Sequence, residues 1–195
     1  MKPRYLFIFL FLTFVLDATA QTDSSFRKID VSVGLSDLVH SNLNSTTQNG
    51  VRSTFGTLTF YPLQYKKTQF GITIGFERVV LKVTDSTTLT ENRIPLLLTT
   101  KWNIYGDQAF YIKMQLGTAL TTKSLVSKEG DTEYNNLRSD IGAPILANMG
   151  MGVNLPFNKI GVGVEFGYAY KQISYKSFSE YNPGAVYLSL VVSLP

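Results

Sequence analysis

Cysteine is absent from the 195 residues, which removes disulfides, thiol catalysis and cysteine-bound metals. Histidine and tryptophan occur once each. Charged residues make up only 16% of the chain, against ~25% in soluble domains. There is no Lys/Arg run of the kind that holds nucleic acid. After residue 20 no apolar run is long enough to be a membrane helix, which needs ~20 residues. No phosphate-binding glycine loop, metal cluster or cofactor fingerprint is present either. What remains is aromatic and glycine-rich: 13% Phe, Trp and Tyr, with 15 glycines.

The chain opens with Lys2 and Arg4, then an apolar run from Tyr5 to Leu16, then Ala18-Thr19-Ala20. A positive start, an apolar core and an A-x-A ending predict a cleaved secretory signal over residues 1–20. The run is too short for a transmembrane anchor. Residues 21–195 are then the mature domain. Removing Lys2, Arg4 and Asp17 leaves 18 − 2 = 16 basic and 14 − 1 = 13 acidic residues, a net +3. An exported chain without disulfides must hold itself together by backbone hydrogen bonds and packing.

The mature part alternates. In Ile160 to Tyr170 the large residues Ile160, Val162, Val164, Phe166, Tyr168 and Tyr170 fall at every second position. Between them lie Gly161, Gly163, Glu165, Gly167 and Ala169. Period two is a β-strand with one greasy face and one nearly bare face. The same design recurs around Ile29–Leu35, Phe70–Phe76, Ile94–Trp102, Phe110–Leu116, Ile145–Leu155 and Val186–Leu194. An eighth segment, 51–61, is ambiguous: Leu58 and Phe60 suggest one register, Phe55 and Tyr61 the other. Pro95 lacks a ladder donor, so it belongs near a strand start or a bulge. Connections alternate long and short, with polar stretches at His40–Gly50, Asp85–Thr90, Lys123–Asp140 and Ser174–Pro183. Strands of ~9–12 residues suit a tilted bilayer crossing, and the long/short rhythm is that of a transmembrane barrel. The predicted fold is all-β: an eight-stranded antiparallel up-and-down transmembrane β-barrel.

Energy decides which face looks out. Large apolar side chains turned toward water would exceed the few hundred Å² of apolar patch that soluble monomers tolerate. The opposite face turned toward lipid would put Lys113 there at ~2–4 kcal/mol near the midplane. Apolar-out in a bilayer meets both constraints; a soluble lipocalin-like barrel, apolar face inward, is the rival. Aromatics are expected at both membrane interfaces: Tyr61, Tyr65, Trp102, Tyr105, Phe110, Tyr111 and Phe157 at one end. Tyr134, Tyr168, Tyr170, Tyr175, Phe178 and Tyr181 belong to the other.

By parity Asp30, Glu77, Arg93, Lys101, Lys113, Asn148, Glu165 and Lys171 point inward. Charges of both signs in a narrow lumen should pair, because an unpaired one is costly. Glu77 and Arg93, on neighbouring strands, are expected to pair directly, and Glu165 and Lys113 could meet across the lumen. A polar plug is one reading of these charges; an ion path or a catalytic dyad is the other. The lone His40, followed by Ser41, could belong to a lipid hydrolase. Adjacent strand residues face opposite ways, however, so a solvated loop residue is the simpler reading.

Phrases such as Phe70-Gly71-Ile72-Thr73-Ile74-Gly75-Phe76-Glu77, set in eight alternating strands behind a signal peptide, resemble the small outer-membrane β-barrel family. These are the porin-like, OmpA/OmpX-like eight-stranded barrels of Gram-negative bacteria. The likeness spans residues 26–195 as a pattern, without an invariant motif. Family members usually end in an aromatic residue, whereas this chain reads Ser193-Leu194-Pro195. The resemblance implies a non-enzymatic surface-interaction or structural protein, without cofactors. Its partners would be outer-membrane lipid and, during biogenesis, periplasmic chaperones and the barrel-assembly machinery. An extracellular ligand would meet loops 40–50 and 123–140. A narrow passive pore is the second reading.

Overall fold

The computed structural model describes residues 28–38, 51–82, 87–105, 109–128, 131–136, 143–157, 160–172 and 184–195. The signal segment, the 40–50 stretch and the His40-Ser41 pair lie outside them. The strands are β1 (Ile29–Leu38), β2 (Val51–Tyr65), β3 (Thr68–Lys82), β4 (Thr87–Tyr105), β5 (Phe110–Lys128), β6 (Asp131–Asn136), β7 (Ile145–Phe157), β8 (Ile160–Lys171) and β9 (Gly184–Leu194). All pairings are antiparallel, in the order β4-β3-β2-β1-β9-β8-β7-β5, and β4–β5 pairing closes the ring. Eight strands therefore make a closed barrel with no free edge, as the alternation predicts. Closure leaves every wall strand with two neighbours, which is what a backbone in lipid requires.

β6 is the addition. It pairs with the far end of β5 rather than with the barrel wall. The 123–140 stretch was expected to be one polar loop, yet β5 continues to Lys128 and β6 covers Asp131–Asn136. Likewise β4 begins at Thr87, inside the expected 85–90 loop. β4 and β5 have 19 residues each, about 60 Å of strand at ~3.3 Å per residue. That exceeds what a tilted crossing needs, so this hairpin stands proud of the barrel at its loop end. Polar composition marks solvent there, and backbone pairing between β4 and β5 keeps the chain extended in it.

The ambiguous segment resolves into both of its halves. Leu58 and Phe60 face out, whereas Tyr61 is buried in the lumen and Phe55 sits against Tyr187 with ring centroids 6.1 Å apart. The β2–β3 register shifts between Phe60 and Leu63. The β2–β3 turn places Lys66 at φ 53°, the left-handed conformation that tight hairpins use. Pro95 sits inside β4, not at its start. The β3–β4 ladder pairs Ile74 with Leu96 and Glu77 with Arg93, and skips the two positions between. A bulge follows between Asn92 and Arg93 on the β5 side. The missing proline N–H accounts for that gap.

Exposed apolar side chains stand on every barrel strand: Val33, Phe60, Ile72, Leu98, Leu116, Met149, Phe166 and Leu188 are examples. The surface is a continuous greasy belt, which only lipid can cover without a large cost. The barrel is a transmembrane one. Tyr65, Trp102, Phe110 and Phe157 are exposed at the end that carries the termini, and Tyr168 is exposed near the loop end. Two expected girdle residues are not in the girdle. Tyr61 and Tyr111 are 3% and 1% exposed and point into the lumen. The side chains of Tyr105, Tyr134, Tyr175, Phe178 and Tyr181 lie outside those described.

Candidate functional site: the lumen

Alternation sends a second set of side chains inward, and these fill the barrel in three layers. Nearest the termini, Asp30 on β1 is the hub. It accepts from Lys101 Nζ at 2.9 Å, Tyr61 Oη at 3.0 Å and Ser193 Oγ at 2.5 Å. Lys101 lies on β4, with β3 and β2 between it and β1 in the ring, so the pair crosses the lumen. Its ammonium also sits 4.4 Å from the Tyr111 ring centre, a favourable cation–π distance. Asn154 extends the group by donating to Ser193 Oγ at 2.9 Å.

Glu165 is the second hub, on β8, which β9 separates from β1. Lys113 Nζ lies 2.6 Å from its Oε2. The Tyr111 hydroxyl donates to Oε2 at 3.0 Å and the Tyr187 hydroxyl to Oε1 at 2.8 Å. The bare face of the β7–β8 ribbon now has a cause. A Cβ on Gly152 would overlap the Tyr111 ring and one on Gly150 the Tyr187 hydroxyl. A Cβ on Gly167 would come within 2.8 Å of Tyr187 Cε1. The glycines make space for the two tyrosines that serve Glu165.

A neutral layer follows. Thr59, Thr73 and Thr99 join hydroxyl to hydroxyl at 2.7 and 2.6 Å. Gln115 Nε2 donates to Thr73 and Thr99 at 2.9 and 3.1 Å, and its Oε1 accepts from Asn148 Nδ2 at 3.1 Å. Leu97, Ala119 and Leu146 pack together beside it.

The third layer lies toward the loop end. Glu77 and Arg93 are cross-strand partners in register, but the expected direct pair does not form. Glu77 is paired with Lys171, which reaches over from β8 and also donates to Ser36 and Ser53 at 2.9 and 2.6 Å. Arg93 turns along its own strand to Glu91, donating from Nε at 2.8 Å. Above them Val79, Leu81 and Leu89 are buried.

The eight residues singled out by parity thus all line the lumen, and Asp30, Glu77, Arg93, Lys101, Lys113 and Glu165 are buried there. Sequence reasoning missed Glu91, Tyr61, Tyr111 and Tyr187. Parity was the available signal: each lies an even number of residues from an inward-facing neighbour on its own strand. Among the described inward charges, Asp30, Glu77, Glu91 and Glu165 balance Arg93, Lys101, Lys113 and Lys171. No group of three or more potential metal ligands occurs among the described residues. Each of these four carboxylates is met by a cationic side chain.

The closed ring, the apolar exterior and this charge-balanced interior can be set against known structures. Neisserial surface protein A matches with a TM-score of 0.52 at 11% identity, covering 85% of this chain and 95% of that one. The fold is that of the small outer-membrane barrels. Ail, the attachment invasion locus protein of Yersinia pestis, matches at 0.49 and 10% identity, covering 86% and 98%. The translocator domain of the autotransporter NalP from Neisseria meningitidis matches at 0.45 and 10% identity, covering 99% and 97%. No family model and no curated protein matches the sequence. The likeness is one of architecture alone.

Proposed function

We propose that this chain is a non-enzymatic outer-membrane protein whose barrel is a sealed anchor and whose loop end meets the cell's surroundings. The single observation that carries this is the lumen. Among the described residues, three hydrogen-bonded layers with ion pairs running across the bore fill it with side chains. Charges in such a space are strongly coupled, and breaking one pair leaves an expensive orphan. A barrel of eight strands has an interior that side chains can fill. Placement in a Gram-negative outer membrane is supported by the fold shared with a Neisserial surface protein. Lipid contacts the outer belt, and chaperones and the assembly machinery handle the chain on its way there. A surface ligand, where one exists, meets the loop end, at 40–50 and around the β5–β6 extension of 123–140.

The test is conductance. The mature chain, refolded and inserted into a planar bilayer, is expected to give no current steps above the lipid baseline. Regular unitary steps would overturn the sealed-anchor reading and establish the narrow pore in its place.

A further inference from the structure

Not all of the lumen is side chain. Beside the neutral layer, reaching from the Glu165 group below to the Glu77 group above, lies a cavity that offers ≈ 40 Å³ to the centres of water molecules. Its wall includes Ser32, Glu77, Lys113, Asn148, Glu165 and Lys171. Two of these carry buried polar atoms without a protein partner: Ser32 Oγ and Asn148 Oδ1. Asn148 spends its Nδ2 on Gln115, which fixes the amide and leaves its oxygen as the spare acceptor. Buried polar atoms of this kind are paired in nearly all folded proteins, with water where protein is out of reach.

We infer that this cavity is a binding site for a small cluster of ordered water, and that it takes water in preference to ions. Volume permits about three molecules, at one per ~10–15 Å³ of this measure. Chemistry selects them. Glu77 and Glu165 balance Lys113 and Lys171 on the wall, so neither a cation nor an anion finds a net opposite charge. The wall offers acceptors at Ser32 and Asn148, and the Lys113 ammonium carries more N–H groups than its one ion pair consumes. A guest must therefore both donate and accept. The cluster would link the Lys171–Glu77 pair to the Lys113–Glu165 pair, fastening the upper charged layer to the lower one. This deepens the sealed-lumen reading: the chamber is wet inside yet a poor place for an ion.

The experiment is solution NMR on the ¹⁵N-labelled mature chain refolded in micelles, reading through-space cross-peaks between water and the Asn148 and Gln115 side-chain amides. Cross-peaks with the sign of long-lived water are expected at both. Their absence would overturn the inference. Asn148→Leu should abolish the Gln115 cross-peak, and an undiminished peak would contradict the assignment. Should that variant fail to fold, Ser32→Ala removes an oxygen that no protein atom uses; it should keep the folded gel band and weaken the Asn148 cross-peak, and an unweakened peak would count against the site. Titration with sodium chloride decides between water and ion. The Asn148 amide shift should stay flat, and a saturable shift would mean a bound ion and overturn the selectivity. These readouts do not depend on conductance, so a current-passing barrel with ordered water, or a silent barrel without it, would each be recognised for what it is.

Discussion

At the level of single residues, two carboxylates and the groups that satisfy them organise the lumen. Glu165 accepts from two tyrosines and pairs with Lys113. Glu165→Ala would strand a buried ammonium and two hydroxyls, and should cost about 3–5 kcal/mol, the usual penalty for breaking a buried pair. Glu165→Gln keeps an acceptor and should lose less. Urea unfolding in micelles orders the two, and equal losses would show that a neutral acceptor recovers nothing at this site. Glu77 permits a finer test, because its register neighbour is Arg93 but its ion partner is Lys171. A double-mutant cycle should give Glu77 and Lys171 a coupling within the ~0.5–3 kcal/mol expected of contacting residues, and Glu77 and Arg93 a smaller one. The reverse order would restore the cross-strand pair. That pair illustrates what sequence could and could not supply. Parity and adjacency put Glu77 beside Arg93, as the ladder shows. A long side chain arriving from the other wall is decided by the bore of the barrel, which no local pattern encodes.

At the scale of the element, each strand serves two solvents at once. β8 shows it most plainly: Phe166 is 53% exposed to lipid while Glu165 beside it is 2% exposed in the lumen. Phe166→Arg, near the middle of the span, should cost ~2–4 kcal/mol, and Tyr170→Arg, near the loop end, ~1 kcal/mol or less. Unfolding midpoints in lipid vesicles would report the difference, and a flat profile would argue against a bilayer around this face. The small residues of β7 carry a prediction of their own. Gly152→Ala forces a methyl into the Tyr111 ring and should cost about 1–3 kcal/mol as an overpacked site. In a Tyr111→Ala background the same change should be nearly free. The period-two pattern made seven strands legible and divided the eighth between two registers, which the structure shows are its two faces. The β5–β6 extension was hidden for a physical reason. Outside the bilayer both faces of a strand meet water, so alternation disappears while the backbone pairing persists.

At the scale of the whole molecule, an apolar exterior and a polar, hydrogen-bonded interior invert the usual soluble arrangement. Such a closed ring, without disulfides, should survive detergent and run as a faster band when left unboiled, slowing on boiling; identical mobilities would mean that the ring does not close. The single tryptophan gives the most direct check of which face looks out. Trp102 stands 52% exposed on the outer face of β4, next to Lys101, which is fully buried in the lumen. Its emission can be read without labels in vesicles whose lipid chains carry bromine, a contact quencher. Strong quenching relative to ordinary lipid is the predicted result. Unquenched emission, with the protein remaining soluble away from the vesicles, would contradict the membrane barrel and turn the apolar face inward.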